Sequence, residues 1–106
     1  MTGGYVYIGD DNGVLYALHD GNGRASWMED THSQIDSTPL VSNGVIYIGN
    51  DASSFYAIDA KTGQVRWARI FSGGIDSSPA LAGGVVYFGD GNNNVHALSA
   101  RTGDSI

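Results

Sequence analysis

The chain has 106 residues, of which 42% are hydrophobic, enough for one packed domain or part of one and too much for a disordered segment. Its formal net charge of -6, with only five basic residues, excludes a nucleic-acid or anionic-membrane surface, because phosphate binding requires clustered Lys and Arg. The absence of cysteine excludes disulfide frameworks and thiolate metal sites, and no apolar run approaches the roughly 20 residues of a membrane-inserted helix.

Short runs rich in β-branched and aromatic residues follow one another along the chain, and each is bounded by Gly, Asn or Asp. These runs are predicted strands. In chain order they read YVYIG, LYAL, PLV, VIYIG, FYAI, VRWARI, PAL, VVYFG and VHAL. No segment has a sustained helical period, so the sequence predicts an all-β fold.

The predicted strands repeat with a fixed period. Tyr7, Tyr47 and Tyr87 are successively 40 residues apart, and the same step links Trp27 to Trp67. The chain therefore holds roughly 2.65 copies of one unit, a size typical of a propeller blade.

Each unit holds about four strands, and the strands are apolar on both faces. Tyr47 points to one face while Ile46 and Ile48 point to the other, so each sheet is expected to lie between two neighbours. Radial repetition of four-stranded antiparallel sheets is a β-propeller. We therefore predict an incomplete β-propeller with a 40-residue repeat.

The segment AIDAKTGQVRW carries a specific motif, made of Ala57, Asp59, Thr62, Gly63 and Trp67. It resembles the tryptophan-docking motif A-x-D-x-x-T-G-x-x-x-W of the pyrroloquinoline-quinone-like (PQQ-like) propeller repeats. The resemblance covers essentially the whole chain.

The motif recurs in the flanking copies. In the first copy His19 and Asn22 replace the Asp and Thr, and the third copy ends before its tryptophan; the matching residues are Ala17, Gly23 and Trp27, then Ala97, Thr102 and Gly103. The resemblance implies that each indole packs on the motif Ala of its own blade and the motif Gly of the next blade. Trp27 is thus expected on Ala17 and Gly63, and Trp67 on Ala57 and Gly103.

Because of the two departures from the motif, the side-chain hydrogen bonds of the motif Asp and Thr are not expected in the first turn. The first docking contact is therefore expected to be looser than the second.

Known propellers have about 4 to 8 blades, so the chain is expected to be a segment of a longer protein. We divide it into 1–34, a blade lacking its first strand, 35–74, a complete blade, and 75–106, a blade with a truncated last strand. Such a segment exposes an apolar blade face and open strand edges. It is expected to self-associate or to pack against the rest of the propeller.

No catalytic, cofactor-binding or metal-binding residue is assigned. The loops DDNG at Asp10 and DGNNN at Asp90 have the residue types of calcium loops, but their spacing departs from the EF-hand pattern, so we interpret them as hairpin turns. His19, His32 and His96 share neither a repeat position nor a paired metal-ligand spacing; we interpret them as surface or edge residues.

Asp36 and Asp76 recur one repeat apart, just before the strand expected to be innermost. Two interpretations stay open. They line a central channel with negative charge, or each caps its turn through an Asx-type hydrogen bond.

Two function classes follow from the resemblance. In the first, the chain belongs to a non-enzymatic propeller, similar to BamB-type envelope scaffolds or bacterial sensor domains, whose partner is another protein. In the second, it belongs to a PQQ-dependent alcohol or sugar dehydrogenase that holds PQQ and calcium. The evenness of the repeat favours the scaffold, because binding and catalysis are usually built on loop insertions. A periplasmic or envelope location is suggested by the resemblance alone.

Overall fold

A computed structural model describes residues 5–19, 21, 23–35, 38–75 and 78–106. Within these ranges ten β-strands form and no helix is present. The strands are β1 (Tyr5–Gly9), β2 (Val14–His19), β3 (Ala25–Asp30), β4 (Leu40–Ser42), β5 (Val45–Gly49), β6 (Ser54–Asp59), β7 (Val65–Ile70), β8 (Ala80–Ala82), β9 (Val85–Gly89) and β10 (Val95–Ser99). The predicted all-β class is confirmed.

The strands of the described residues pair into three antiparallel sheets, with chain neighbours adjacent in space. β1 to β3 form the first sheet, β4 to β7 the four-stranded second sheet, and β8 to β10 the third. The third sheet gains an isolated bridge between Leu98 and Ser105, at the position where β7 lies in the second sheet. Short hairpins explain this order, because antiparallel strands need only a tight turn between them.

The pairing register repeats with the sequence. Tyr7 lies opposite Ala17, and Tyr47 lies opposite Ala57, one repeat later. An irregularity follows the motif Ala in each of the first two sheets, between β2 and β3 and between β6 and β7. A bulge of this kind increases local twist and redirects the side chains beside it.

The core lies between the sheets. One buried cluster joins the first and second sheets around Leu15, Ile46 and Ile48. The other joins the second and third sheets, where the Phe55 and Phe88 rings stack with centroids 4.0 Å apart. Every residue of β5 is buried, because β5 has a neighbouring sheet on each face.

The outer faces of the first and third sheets differ from this pattern. β1 alternates between half-buried and exposed residues, with Val6 and Ile8 exposed. On β9 Tyr87 is exposed, although its counterpart Tyr47 is buried. The second sheet alone among the three has a neighbouring sheet on each face, with β5 buried throughout, and the described residues form an open stack.

Candidate functional site

The side chain of Trp27 connects the first sheet to the second. β3 places Trp27 directly opposite Ala17 of β2. Its Nε1 donates a hydrogen bond to the backbone carbonyl of Ala60 at 3.0 Å. A Cβ at Gly63 would lie 2.7 Å from the indole Cδ2 and Cε3, so the ring lies directly on glycine backbone.

Trp67 makes the same contacts one repeat later. It lies opposite Ala57, and its Nε1 donates to the carbonyl of Ala100 at 3.1 Å. A Cβ at Gly103 would lie 2.6 Å from the indole. Trp67 is 7% exposed, whereas Trp27 is half-buried, since Trp67 also stacks on Phe55 with centroids 6.0 Å apart.

Sequence reasoning did not identify the acceptors of the two indole N–H groups. The carbonyls of Ala60 and Ala100 each receive a second, longer bond at 3.4 Å, from the hydroxyls of Tyr7 and Tyr47 respectively. Every residue has a backbone carbonyl, so the residue types do not indicate which carbonyl accepts the bond. The repeated tyrosine was the available signal, because a buried phenol needs a hydrogen-bond partner.

The motif turn of the second sheet is held by its own polar side chains. Asp59 Oδ1 accepts the backbone N–H groups of Lys61 and Thr62, and Asp59 Oδ2 accepts a bond from Arg66 at 3.0 Å. The Arg66 guanidinium, followed by the Lys61 amide, lowers the pKa of Asp59. In the third copy Thr102 and Asp104 bond to each other instead.

The first motif turn has the same backbone bonds without the Asp. Gly23 N donates to the carbonyl of His19 at 2.8 Å, matching the bond from Gly63 to Asp59, also at 2.8 Å. The ring of His19 contacts Tyr5, with centroids 4.8 Å apart. Asn22 lies outside the described residues. The backbone pattern of this turn is therefore independent of the motif Asp.

At the opposite end of each sheet, a polar residue caps one hairpin: β1–β2, β5–β6 and β9–β10 in the three sheets. The Oδ1 atoms of Asp10, Asn50 and Asp90 each accept N–H groups two and four residues later, over distances of 2.9 to 3.1 Å. The calcium-like loops thus form Asx-capped hairpin turns, and these caps stand one repeat apart.

The remaining side-chain atom of each cap binds a second group. Tyr16 donates to Asp10 Oδ2 at 3.0 Å, and Asn50 Nδ2 donates to the carbonyl of Thr31 in the first sheet at 3.1 Å. Backbone N–H donors, with Val14 first, lower the pKa of Asp10.

His96 lies on β10, an edge strand of the third sheet, and makes specific contacts there. Its Nε2 lies 2.8 Å from Asp90 Oδ2, and its ring contacts Phe71 and Phe88 with centroids 4.3 and 5.3 Å away. The bond to His96 is the largest influence that lowers the pKa of Asp90. His96 stands 40 residues after Tyr56, at the repeat position of the capping tyrosine, so the repeat itself carried the signal.

The candidate channel residues Asp36 and Asp76 lie outside the described residues. Next to them Thr38 N donates to Ser78 Oγ at 3.0 Å, joining equivalent positions of neighbouring repeats.

An apolar cleft of about 270 Å³ lies beside β1; it is lined by Tyr5, Val6, Tyr7, Thr38, Pro39 and Val41. In the part of the chain that the structure describes, no group of three or more His, Asp or Glu is placed to hold a metal ion. No described segment forms a helix long and apolar enough to cross a membrane.

A family model described as outer membrane protein assembly factor BamB matches residues 1–106. No curated protein matches the sequence. Among solved structures, BamB from Moraxella catarrhalis has a TM-score of 0.88 at 16% identity, over 98% of this chain and 31% of that protein.

Quinohemoprotein alcohol dehydrogenases are similar as well. ADHIIG from Pseudomonas putida has a TM-score of 0.89 at 27% identity, over 96% of this chain and 18% of that protein. The enzyme from Comamonas testosteroni has a TM-score of 0.86 at 22% identity, over 96% and 19%. These neighbours are β-propellers, which confirms the predicted fold and the PQQ-like resemblance; the chain spans about a third or less of each of the three.

Proposed function

We propose that the chain, which belongs to the family of the outer membrane protein assembly factor BamB, is a non-catalytic propeller segment that binds another protein. A cell-envelope location is part of this proposal and rests on the family. The evenness of the repeat supports the non-catalytic role, because the described connections between strands are short turns. Binding and catalysis are usually built on longer loops.

The candidate binding surface is the hairpin end, defined by the loops 10–13, 50–53 and 90–93. Backbone bonds tie two of these loops to the segment that follows the preceding sheet: Asp51 N donates to the carbonyl of Gln34 at 2.9 Å, and Gly91 N to that of Gly74 at 2.8 Å. Together with the Asx caps, these bonds hold the loops in one arrangement. A preorganised surface binds a partner with a smaller loss of conformational entropy.

This surface is polar and acidic. Asp11, Asp51 and Asn92 are exposed on it, and the whole chain carries a formal net charge of -6. A protein surface that presents Lys and Arg fits these groups, since charge complementarity speeds association. We therefore propose a partner protein with a basic surface.

Biolayer interferometry against purified components of outer membrane protein assembly tests this function. Asp11→Lys should weaken association by about 3- to 10-fold, because it reverses a charge within the surface. Asp104→Lys is the matched control: it makes the same charge change at the opposite end, where Asp104 forms an exposed pair with Arg69. Equal effects of the two variants, or the absence of binding, would contradict the proposal.

A PQQ-dependent dehydrogenase is the second candidate, favoured by the 27% identity to the Pseudomonas putida enzyme. The two carboxylates that cap the hairpins already have side-chain partners: Asp10 accepts from Tyr16, and Asp90 lies within hydrogen-bond distance of His96. We therefore propose no calcium or PQQ site at these two residues and assign no catalytic step to them. Alcohol-dependent dye reduction after addition of PQQ and calcium distinguishes the candidates, and turnover would favour the enzyme.

A further inference from the structure

The Lys and Arg side chains of the chain are concentrated at one end of the sheets. We define the motif-turn end as the segments 19–24, 59–64 and 99–104, together with the two arginines of β7 whose guanidinium groups bond to Asp59 and Asp104. It contains every Lys and Arg of the sequence: Arg24, Lys61, Arg66, Arg69 and Arg101. Three of the eleven carboxylates belong to these segments and the other eight lie elsewhere, so the charges of the chain are separated along the strands.

The second sheet shows that the motif-turn end is open to a partner. This sheet has a neighbouring sheet on each face, yet Lys61, Thr62 and Gln64 of its motif turn are exposed. Further repeats of a propeller stack on the faces of the sheets, as the first and third sheets do here, and leave such turns uncovered. The exposure therefore belongs to the fold of each sheet.

Two of the cations hold the turns of this end in place. Arg66 pairs with Asp59 Oδ2 at 3.0 Å, within the second sheet. Arg69 donates to the carbonyl of Thr102 at 2.9 Å and lies 3.4 Å from Asp104 Oδ1, so it joins β7 to the motif turn of the third sheet. These bonds neutralise the two carboxylates and fix the turns, which reduces the entropy that binding would cost.

Lys61 and Arg101 are the cations that this arrangement presents to solvent. Both side chains are exposed, and no ion pair among the described residues includes either of them. They stand one repeat apart, at equivalent positions of the second and third sheets. Sheets packed face to face lie about 10 Å apart, which about three residues of an extended chain cover at about 3.3 Å each. A short run of acidic residues therefore reaches both cations.

We propose that the motif-turn end binds an extended acidic segment of a partner protein, whose carboxylates pair with Lys61 and Arg101. The acidic hairpin end lies at the far end of strands such as β6, whose six residues span about 20 Å. This is about two Debye lengths at 0.1 M salt, so the charge of the motif-turn end decides the interaction there. The inference goes beyond the proposed function, because this surface and its partner are opposite in charge to those of the hairpin end.

An acidic protein segment fits this end better than an anionic membrane does. The cations stand singly in neighbouring turns, whereas phosphate surfaces are bound by several clustered Lys and Arg. The formal net charge of -6 also opposes adsorption to an extended anionic surface. A short segment contacts the turns alone.

Fluorescence anisotropy with a fluorescein-labelled deca-glutamate peptide tests the proposal, using the whole chain at about 0.1 M salt. The peptide should bind, and a deca-glutamine peptide should not. Lys61→Gln and Arg101→Gln should each weaken binding by about 2- to 5-fold, the effect of losing one exposed ion pair, and the double variant by about the product of the two. Both side chains are exposed, so circular dichroism should show an unchanged fold.

Asn12→Asp is the matched control. It makes the same change of one charge at the hairpin end, where Asn12 is exposed and bonds to Asp10 through its backbone N–H. It should leave peptide binding unchanged, and so should Asp11→Lys, which separates this inference from the function proposed for the hairpin end. Three results would overturn the inference: no binding of the deca-glutamate peptide, equal weakening by Asn12→Asp and the double variant, or binding to phosphatidylglycerol vesicles without binding to the peptide.

Discussion

Replacing Trp67 by Ala tests the indole contact that joins the second and third sheets. The indole is 7% exposed, lies on Gly103 and donates its N–H to the carbonyl of Ala100. Burial of an indole removes about 150–250 Å² from water, which corresponds to roughly 4–6 kcal/mol at about 25 cal/mol per Å². Substitutions of this type in cores cost about 3–5 kcal/mol. We expect a loss in that range, a large share of the roughly 5–15 kcal/mol typical of a domain.

Urea unfolding followed by circular dichroism measures this loss. Trp67→Phe is the matched control, because it keeps an aromatic ring and removes the N–H. It should lower the free energy of unfolding by less than the Ala variant does, and about 1 kcal/mol of its loss should come from the missing hydrogen bond. Trp27→Ala should also cost less than Trp67→Ala, since Trp27 is only half-buried. A Trp67→Ala variant with the parent's free energy of unfolding would refute the reasoning.

The close approach of Trp67 to Gly103 allows a double-mutant cycle. A Cβ in Gly103→Ala would lie 2.6 Å from the indole, at a φ of 79° that costs a non-glycine residue about 1–2 kcal/mol. With Trp67 already replaced by Ala, only the φ cost remains. The two changes should therefore couple by at least about 1 kcal/mol. Additive effects would mean that the ring does not lie on the glycine.

Two further predictions concern the hairpin caps and the motif turn of the second sheet. The folded state lowers the pKa of Asp10, Asp59 and Asp90, so their contribution to stability is present above the unfolded carboxyl pKa of about 3.9 and is lost as pH falls through the lower folded values. Urea unfolding between pH 2 and 7 should show this loss, and Asp90→Asn should reduce it; an unchanged acid limb would contradict the assignment. His96→Tyr restores the residue that pairs with Asp10 in the first sheet and should change the free energy of unfolding little, whereas His96→Ala should lower it by about 1–2 kcal/mol; equal thermal unfolding curves for the Ala and Tyr variants would count against a capping role.

The sequence was sufficient for the strands and for the repeat. A strand signal is local: β-branched and aromatic runs between turn residues predicted nine of the ten strands of the described residues, and β3 was not among the predicted runs. The 40-residue step then predicted sheets of equal construction, since equal sequences form equal local structure. The same 40-residue step places His96 at the repeat position of Tyr16 and Tyr56, but its different residue type obscured this relation.

The tertiary structure alone decided which backbone groups meet the side chains. The acceptors of the indole N–H groups are carbonyls of Ala60 and Ala100, and any residue type provides a carbonyl. Likewise, the sequences of β1, β5 and β9 are nearly interchangeable, yet β5 alone among them is buried throughout. Burial on both faces depends on the number of neighbouring sheets, a property of the assembled stack that no single repeat encodes.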